Sequence, residues 1–318
     1  MQNRHQIELT WLEDCLALAE TLNFSRAATL RYVTQPAFSR RIQSLEAWVG
    51  TALFERSRRG VQLTRAGKAF CVQASTLTRS LYAARDEALE IAGLGTPTLI
   101  FSATHALSFT FFPDWMRQHE QAIRLGSFQL LSDTLRGSER MLMQGRSQFL
   151  LCHYHPRISL NLDLSQFHSL VVGVDQLIPL SAPRGDSTDP KWPVKPNGPR
   201  YPILGYSDDS GLGRILAAHM PLDKIRKRGD AVFISDLAAT LLAMVRAGDG
   251  VAWLPKTLAQ HDIANGSMVA AAPETPAFSV PVEIRLFRPV DKMSLAAEAL
   301  WQIFIDQVGV GAIPAQEV

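Results

Sequence analysis

Four polar side chains have the types and the helical spacing needed to read DNA bases: Gln35, Ser39, Arg40 and Gln43. Glutamine can form two hydrogen bonds with adenine, and arginine can form two with guanine, through atoms that face the major groove. Pro36 suits the first turn of a helix, where its missing N–H is not needed, and Thr34 can cap the free N–H groups. The segment therefore predicts a DNA-reading helix that begins near Thr34.

The elements that must position this helix can also be read from the sequence. One buried stripe on its other face is formed by apolar residues at spacings of four, three and four: Phe38, Ile42, Leu45 and Val49. A shorter helical segment precedes it across a tight turn, which is typical of a helix-turn-helix. Arg58 and Arg59 follow in a basic turn that suits a wing, because its arginines can reach phosphates or the minor groove. Residues 8–66 therefore predict a winged helix-turn-helix.

The distribution of charge agrees with a nucleic-acid partner. Residues 1–70 contain ten Lys/Arg and six Asp/Glu, a net charge of +4; the whole chain is +2, so residues 71–318 carry −2. Basicity is thus concentrated on the predicted DNA-reading segment. Charge alone would equally fit an arginine-rich solvated helix. Together with the turn, the proline and the apolar stripe, it favours double-stranded DNA.

Composition limits the class of protein. A length of 318 residues predicts two or three domains, and 47% hydrophobic with 19% charged residues is normal for a globular chain. No apolar run approaches the roughly 20 residues of a membrane span, and the first residues lack the apolar core of a signal peptide. Cys15, Cys71 and Cys152 do not make a disulfide framework. We therefore expect a cytoplasmic protein with reduced thiols and no membrane partner.

A heptad pattern follows the predicted wing. Apolar residues alternate at spacings of four and three: Phe70, Ala74, Leu77, Leu81, Ala84, Ala88 and Ile91. This seam predicts a linker helix with a hinge over residues 67–96 that pairs with a second copy of the chain, although the helix could also pack on its own core. A two-fold dimer would place two reading helices on a pseudo-palindromic DNA site.

After Pro97 the pattern alternates between strands and helices, which predicts an α/β domain over residues 97–318 with parallel sheets. The predicted strands are 98–103, 127–131, 148–153, 177–182, 202–206, 231–234, 250–254 and 280–287. The predicted helices are 105–119, 133–144, 211–220, 236–247 and 294–308. Residues 183–202 are rich in proline and glycine and predict a surface loop.

Candidate ligand-binding residues come from the ends of these strands, because ligands of open parallel sheets bind beyond the carboxyl ends of strands. The predicted set is Ser102, Thr104, His105, Ser132, Asp133, Cys152, Tyr206, Ser207 and Ser210. Thr104 and His105 open a helix, whose N–H groups favour an anion. Ser132, Asp133 and Ser210 could instead serve only as helix caps.

Other chemistry is weakly represented. His153 and His155 share one face of a strand, but no third and fourth ligands are evident, so we expect no metal. Cys152 is predicted to be a buried, inert thiol rather than a redox switch. No dinucleotide-binding, phosphate-loop, zinc-protease or nucleophile-elbow motif is present, so we expect neither a cofactor nor an enzyme.

The chain resembles the LysR-type transcriptional regulators. The resemblance rests on the helix-turn-helix and on three further motifs: Leu63-Thr-Arg-Ala-Gly67, Phe111-Phe-Pro113 and Arg246-Ala-Gly-Asp-Gly-Val-Ala-Trp-Leu-Pro255. It implies an effector domain of two α/β subdomains, similar to periplasmic binding proteins, with a ligand cleft between them. Subdomain I would comprise about 97–173 and 276–318, and subdomain II about 174–275. The resemblance also implies a homodimer that assembles into a homotetramer, bends promoter DNA and contacts RNA polymerase.

Within this family the effector domain is most similar to the hypochlorite-responsive branch, through Ser102–Ser108, Gly205-Tyr-Ser207 and Gly213-Arg214. The methionines by which that branch senses oxidant are replaced here by His119, Leu212 and Leu237. We therefore predict a DNA-binding regulator controlled by a small-molecule effector. Oxidant sensing through methionine or Cys152 is the alternative. A solute-binding protein or an enzyme on the same fold is a distant alternative, and the solute-binding protein would have no use for residues 1–90.

Overall fold

The computed structural model describes residues 7–57, 60–94, 98–119, 125–185, 187–195, 198–208, 210–219 and 229–310. Contacts divide the chain into two compact units. The first comprises Met1–Gly95, Met143–Arg146 and Asp291–Ser294, and the second comprises Thr96–Leu142, Ser147–Val290 and Leu295–Val318. The described residues contain no helix that is long and apolar enough to cross a membrane.

The first unit contains the predicted winged helix-turn-helix. Its elements are α1 (Leu9–Thr21), α2 (Phe24–Leu30), α3 (Gln35–Val49), β1 (Phe54–Ser57), β2 (Gly60–Leu63) and α4 (Arg65–Ile91). Three members of the predicted stripe, Phe38, Ile42 and Leu45, are fully buried in one core with residues of α1, which confirms that face of α3. Gly50 ends α3 in the left-handed conformation, with φ of +83°, which glycine adopts without strain.

The predicted cap of α3 is only half correct. The helix begins at Gln35 with Pro36 in its first turn, as predicted, but the Thr34 side chain makes no capping hydrogen bond. A capping side chain is found one helix earlier, where Asn23 accepts hydrogen bonds from the backbone N–H groups of Ser25 and Arg26. The N–H groups at the start of α3 are therefore not capped by the Thr34 side chain.

Ion pairs with α1 hold the turn between α2 and α3. The Asp14 carboxylate is completely buried and accepts a hydrogen bond from Arg31 Nε at 2.7 Å, and Arg41 Nη1 of α3 lies 3.4 Å away. Arg31 Nη2 also reaches Glu13, and the Tyr82 hydroxyl of α4 donates to the same carboxylate at 2.6 Å. Glu13 and Asp14, which are consecutive in α1, thus contact the turn after α2 and the helices α3 and α4.

The α4 helix packs differently along its length. Phe70 packs against the core of the winged helix-turn-helix and Ala74 is buried within it, so this part of the predicted seam serves the chain's own fold. Leu77 and Leu81 lie further along the same seam and are 59% and 52% exposed, and Ile91 is exposed as well. The end of the predicted linker and hinge, residues 95–96, lies outside the described residues.

The second unit is the predicted α/β domain. Its strands are β3 (Thr98–Thr104), β4 (Ser127–Asp133), β5 (Phe149–Tyr154), β6 (Phe167–Ser181), β7 (Tyr201–Tyr206), β8 (Gly229–Ser235), β9 (Ala252–Pro255), β10 (Val269–Ala270) and β11 (Val280–Pro289). Its helices are α5 (His105–Thr110), α6 (Phe112–Arg117), α7 (Leu135–Met143), α8 (Gly211–Ala218), α9 (Ala238–Ala247), α10 (Lys256–Ala264) and α11 (Leu295–Val310). The helix predicted over 105–119 is divided at Phe111, before Pro113, whose ring suits a first helical turn.

The sheet is mixed, so the prediction of purely parallel sheets was wrong. Its order is β10-β6-β11-β5-β3-β4, with β9 also paired to β6. The β3 strand pairs in parallel with β4 and β5, and β7 pairs in parallel with β8. The β11 strand, however, is antiparallel to both β5 and β6. It returns from the end of the chain and inserts between strands that are consecutive in sequence.

The longest strand, β6, was underestimated from the sequence. Its first part pairs with β11 and its last part with β9 and β10. The subdomain boundary predicted near residue 173 therefore falls inside one strand. A register shift between Ile284 and Arg285 marks a β-bulge there, opposite residues 171–173.

Candidate functional site

The outward face of α3 presents the residues predicted to read DNA. Thr34, Gln35, Pro36, Arg40 and Gln43 are exposed, and Ser39 is half-buried, on the side away from the buried stripe. Gln35, Arg40 and Gln43 make no hydrogen bond or ion pair with the described residues. Neighbouring Arg41 differs, because it pairs with the buried Asp14. Arg40 is therefore free to contact a base, whereas Arg41 contributes to the fold.

The wing is a two-stranded antiparallel hairpin beside this helix. The β1 and β2 strands pair from Phe54 opposite Leu63 to Ser57 opposite Gly60. Gly60 has a φ of +110°, which a side chain would disfavour. Arg58 and Arg59 lie between the two strands in sequence and outside the described residues, so their predicted phosphate contacts stay predictions.

A cleft, here called the effector cleft, opens in the second unit. Its lining residues are Thr104, His105, Ala106, Asp133, Thr134, Leu135, His153, Ser210, Gly211, Leu212, Asp236 and Ala238. Four of the nine predicted ligand residues are therefore brought together: Thr104, His105, Asp133 and Ser210. They come from the end of β3, the end of β4 and the start of α8, as the strand-end argument requires.

Buried hydroxyl groups at and near the cleft lack partners. Thr104 Oγ1 lines the cleft, whereas Tyr206 and Ser207 are not among its lining residues. The three hydroxyls are buried and make no hydrogen bond with the described residues. Burial, and then the charge of Asp175, raise the pKa of the Tyr206 phenol, so it stays a neutral donor. An unsatisfied buried polar group costs about 1–3 kcal/mol. A polar ligand that satisfied these hydroxyls would regain that free energy.

A buried His–Asp pair supports the floor of the cleft, and sequence reasoning missed half of it. His153 Nε2 lies 3.1 Å from Asp175 Oδ2. Asp175 also accepts hydrogen bonds from the Thr257 hydroxyl at 2.6 Å and from the backbone N–H groups of Thr257 and Gln176. Burial opposes ionisation, but these donors and the His153 charge hold the pKa of Asp175 below its usual value. The sequence signal was a single charged residue within the segment 170–182.

Five of the nine predicted residues do not line the cleft, and two of these five, Ser102 and Cys152, lie in the core. Ser102 is fully buried beneath the sheet, where its hydroxyl donates to the backbone oxygens of Ser138 and Phe149 and lies 3.0 Å from Ser147 Oγ. Cys152 is also fully buried, and burial raises the pKa of its thiol. Both side chains point into the core because alternate residues of a strand face opposite ways. Their assignment as ligand residues is corrected accordingly.

The remaining predicted residues have mixed roles. Ser132 is exposed and lies 2.9 Å from His105 Nδ1, so it orients that ring without lining the cleft itself. Asp133 Oδ1 accepts a hydrogen bond from the Thr134 N–H, and its carboxylate lies against Gly137, where a Cβ would approach within 2.2 Å. Ser210 caps α8 through the Gly213 N–H. Ser210 thus caps a helix and lines the cleft, whereas Asp133 lines the cleft without capping α7, whose Gly137 N–H donates to Thr134 Oγ1.

The structure also shows the surroundings of the candidate metal ligand His153 and of the positions that replace the sensing methionines. The described residues contain no group of three metal-ligating side chains, and His153 is engaged by Asp175. Of the positions that replace the sensing methionines, His119 is buried and its Nδ1 lies 2.6 Å from the Trp115 carbonyl oxygen. Leu212 is a buried residue of the cleft lining, and Leu237 precedes α9.

Comparison with known families gives the identity of both units. Residues 9–68 match the bacterial regulatory helix-turn-helix proteins of the lysR family. Residues 92–309, more than half of the chain, match the LysR substrate binding domain. The chain belongs to the LysR family. It is therefore a DNA-binding transcriptional regulator with a substrate-binding domain, and the predicted family, fold class and general function are confirmed.

Similar proteins of the LysR family match almost the whole regulator. It is 29% identical over 304 residues, 94% of each chain, to the HTH-type transcriptional regulator YjiE of Escherichia coli strain K12. The full-length structure of HypT from Salmonella typhimurium, a hypochlorite-specific LysR-type regulator, covers 96% of this chain and 99% of its own, with 27% identity and a TM-score of 0.58. Vibrio fischeri DarR in complex with DNA shares 29% identity, covers 94% and 99%, and has a TM-score of 0.55. These relatives are regulators rather than enzymes.

Proposed function

We propose that a small polar ligand in the effector cleft controls this LysR-family regulator. The observation that carries the proposal is the set of buried hydroxyls without partners, Thr104 Oγ1, Tyr206 OH and Ser207 Oγ, at and near the cleft. His105 and the braced His153 add donors or acceptors on the lining. A ligand shifts the protein between conformations only if it binds one of them better, and such groups supply differential contacts.

We further propose that α3 supplies sequence specificity and that the wing supplies affinity. Thr34, Gln35, Pro36, Ser39, Arg40 and Gln43 would read or border base edges, while Arg58 and Arg59 would bind phosphates. The protein would act in the cytoplasm as a homodimer or homotetramer on promoter DNA, in contact with RNA polymerase. The exposed, unpaired face of α3 supports the first of these assignments.

Arg40→Ala tests the division between reading and affinity. We expect a loss of about 1–3 kcal/mol in binding and a relaxed preference at one base, because a bidentate contact to guanine is removed. The measurement is selection from random DNA duplexes, followed by titration of the selected site. Arg58→Ala is the matched control, since it also removes one positive charge. Arg58→Ala should weaken binding to all DNA sequences alike and make the affinity less dependent on salt concentration. An unchanged site and affinity for Arg40→Ala would show that α3 does not read bases in this way.

Thr104→Val tests the cleft. Valine keeps the shape but removes a hydroxyl that has no partner in the protein, so the ligand-free variant should keep its stability in chemical denaturation. Native mass spectrometry of protein purified from its host should show a bound small molecule on the unmodified chain and lose it from the variant. Inducer-dependent reporter expression should disappear with it.

Thr98→Val is the control for that experiment, because Thr98 is an exposed threonine of the same strand whose hydroxyl bonds Ser127 away from the cleft. It should retain the bound molecule and the response. Retention of both by Thr104→Val would contradict a ligand held at this hydroxyl.

A further inference from the structure

The first unit contains a pair of thiols in direct contact. Cys15 Sγ of α1 and Cys71 Sγ of α4 are 3.7 Å apart, although 56 positions separate them in sequence. Cys15 is fully buried, whereas Cys71 is partly exposed. Neither belongs to the DNA-reading face or to the effector cleft. Two contacting thiols with one open to solvent form an arrangement that packing alone does not require.

We propose that Cys15 and Cys71 are an oxidation-sensitive pair, whose reversible disulfide joins α1 to α4 and weakens DNA binding. The proposal goes beyond ligand control, because it acts within the DNA-binding unit and needs no ligand. It also assigns any response to oxidant to a pair of residues different from Cys152 and from the methionine positions.

The two thiols have different roles in the reaction. The hydrogen bond from Cys15 lowers the pKa of Cys71, while that same bond and burial raise the pKa of Cys15. Cys71 is thus the thiolate that a solvent-borne oxidant meets first, since nucleophilic attack requires the thiolate. Cys15 is held within contact distance as the resolving thiol.

The chemistry balances with a peroxide as the two-electron oxidant. The Cys71 thiolate attacks a peroxide oxygen and the O–O bond breaks, which gives a sulfenic acid and, with one proton, water. The Cys15 sulfur then attacks the sulfenic sulfur, so that the S–S bond forms and the hydroxyl leaves as water with the Cys15 proton. In sum, two thiols lose two electrons and two protons, and one hydrogen peroxide becomes two waters.

Closing the bond requires the two sulfurs to move towards each other. A disulfide requires about 2.05 Å between the sulfurs, so they must approach by about 1.7 Å from their present separation. The residue before Cys15 is Asp14, which pairs with Arg31 of the turn and with Arg41 of α3. A shift of Cys15 towards α4 therefore pulls on the ion pairs that hold the reading helix. Reduction by a thiol would reverse it.

The test uses the full-length protein and hydrogen peroxide. Peptide mapping without reductant should find one intramolecular Cys15–Cys71 link, with Cys152 still a free thiol. Affinity for the DNA duplex selected by the reduced protein should fall at least tenfold and return after dithiothreitol. Cys71→Ser should abolish both changes, whereas Cys152→Ser should leave both intact. Circular dichroism melting of Cys71→Ser checks that it folds.

Several results would overturn the proposal. One is oxidation of Cys71 to sulfinic acid while Cys15 stays reduced, and another is a link between two chains only. A Cys15–Cys71 link that leaves DNA affinity unchanged would overturn its regulatory role. Mapping of the unmodified protein decides the link even if a variant fails to fold. Because effector binding at Thr104 is measured separately, failure here leaves the cleft proposal unaffected.

Discussion

The double variant Leu77→Asp, Leu81→Asp is expected to convert the protein from a dimer into monomers. Both leucines are more than half exposed on a single chain, although they continue the seam whose earlier members pack on the winged helix-turn-helix. Full burial of a leucine contributes about 1.5–3 kcal/mol, and a two-fold interface contains each position twice. Because only about half of each side chain remains to be buried, the variant would lose about 3–6 kcal/mol and would also bury unpaired charges. Analytical ultracentrifugation at micromolar concentration measures the result.

Val72→Asp is the matched control for this variant. Val72 is another exposed apolar residue of α4, but it lies off the predicted seam. This substitution should leave the dimer intact. If the double variant sediments as a dimer of unchanged strength, α4 does not pair through these leucines. A monomer would also carry a single α3. Loss of the dimer should therefore lower the affinity for a palindromic DNA site.

Arg31→Ala is expected to destabilise the helix-turn-helix by about 3–5 kcal/mol, because it leaves a completely buried carboxylate without its closest partner. Asp14 would retain only Arg41, at 3.4 Å, and Glu13 would keep the Tyr82 hydroxyl. Hydrogen exchange of peptides from α1, α2 and α3 in the full-length protein reports this local loss. DNA affinity should fall as well.

Arg40→Ala serves as the stability control for Arg31→Ala. Arg40 is an exposed arginine of the same motif without an intramolecular partner among the described residues, so its removal should change hydrogen exchange little. Equal protection in both variants would mean that Asp14 tolerates the loss of Arg31, and that the turn is held by packing instead.

The DNA-binding unit could be predicted closely because its signals are local. The stripe of Phe38, Ile42 and Leu45 repeats with the helical period, and Pro36 marks where α3 begins. The seam of α4 was predicted as one continuous interface, yet Ala74 packs inside the chain while Leu77 is exposed. Periodicity shows that a face is apolar, but it does not show which partner covers it.

The effector domain could be predicted only in part, because its key contacts are non-local. The ends of β3 and β4 were found from strand patterns, and Thr104 and Asp133 do line the cleft. The His153–Asp175 pair was missed because β11 lies between the strands that carry these residues. No local pattern reveals that a strand more than 100 residues later separates β5 from β6. Ser102 and Cys152 were misplaced for a simpler reason: the inward face of a strand was taken for its end.

The β-bulge of β6 has a consequence for how the family member can change over evolution. Side chains alternate along a strand, so one extra or missing residue turns every following side chain to the opposite face. Asp175 follows the bulge by only a few residues and must face His153. Insertion or deletion of a single residue between the bulge and Asp175 would therefore turn its carboxylate away from His153. The bulge determines which face of the sheet each later side chain of β6 occupies.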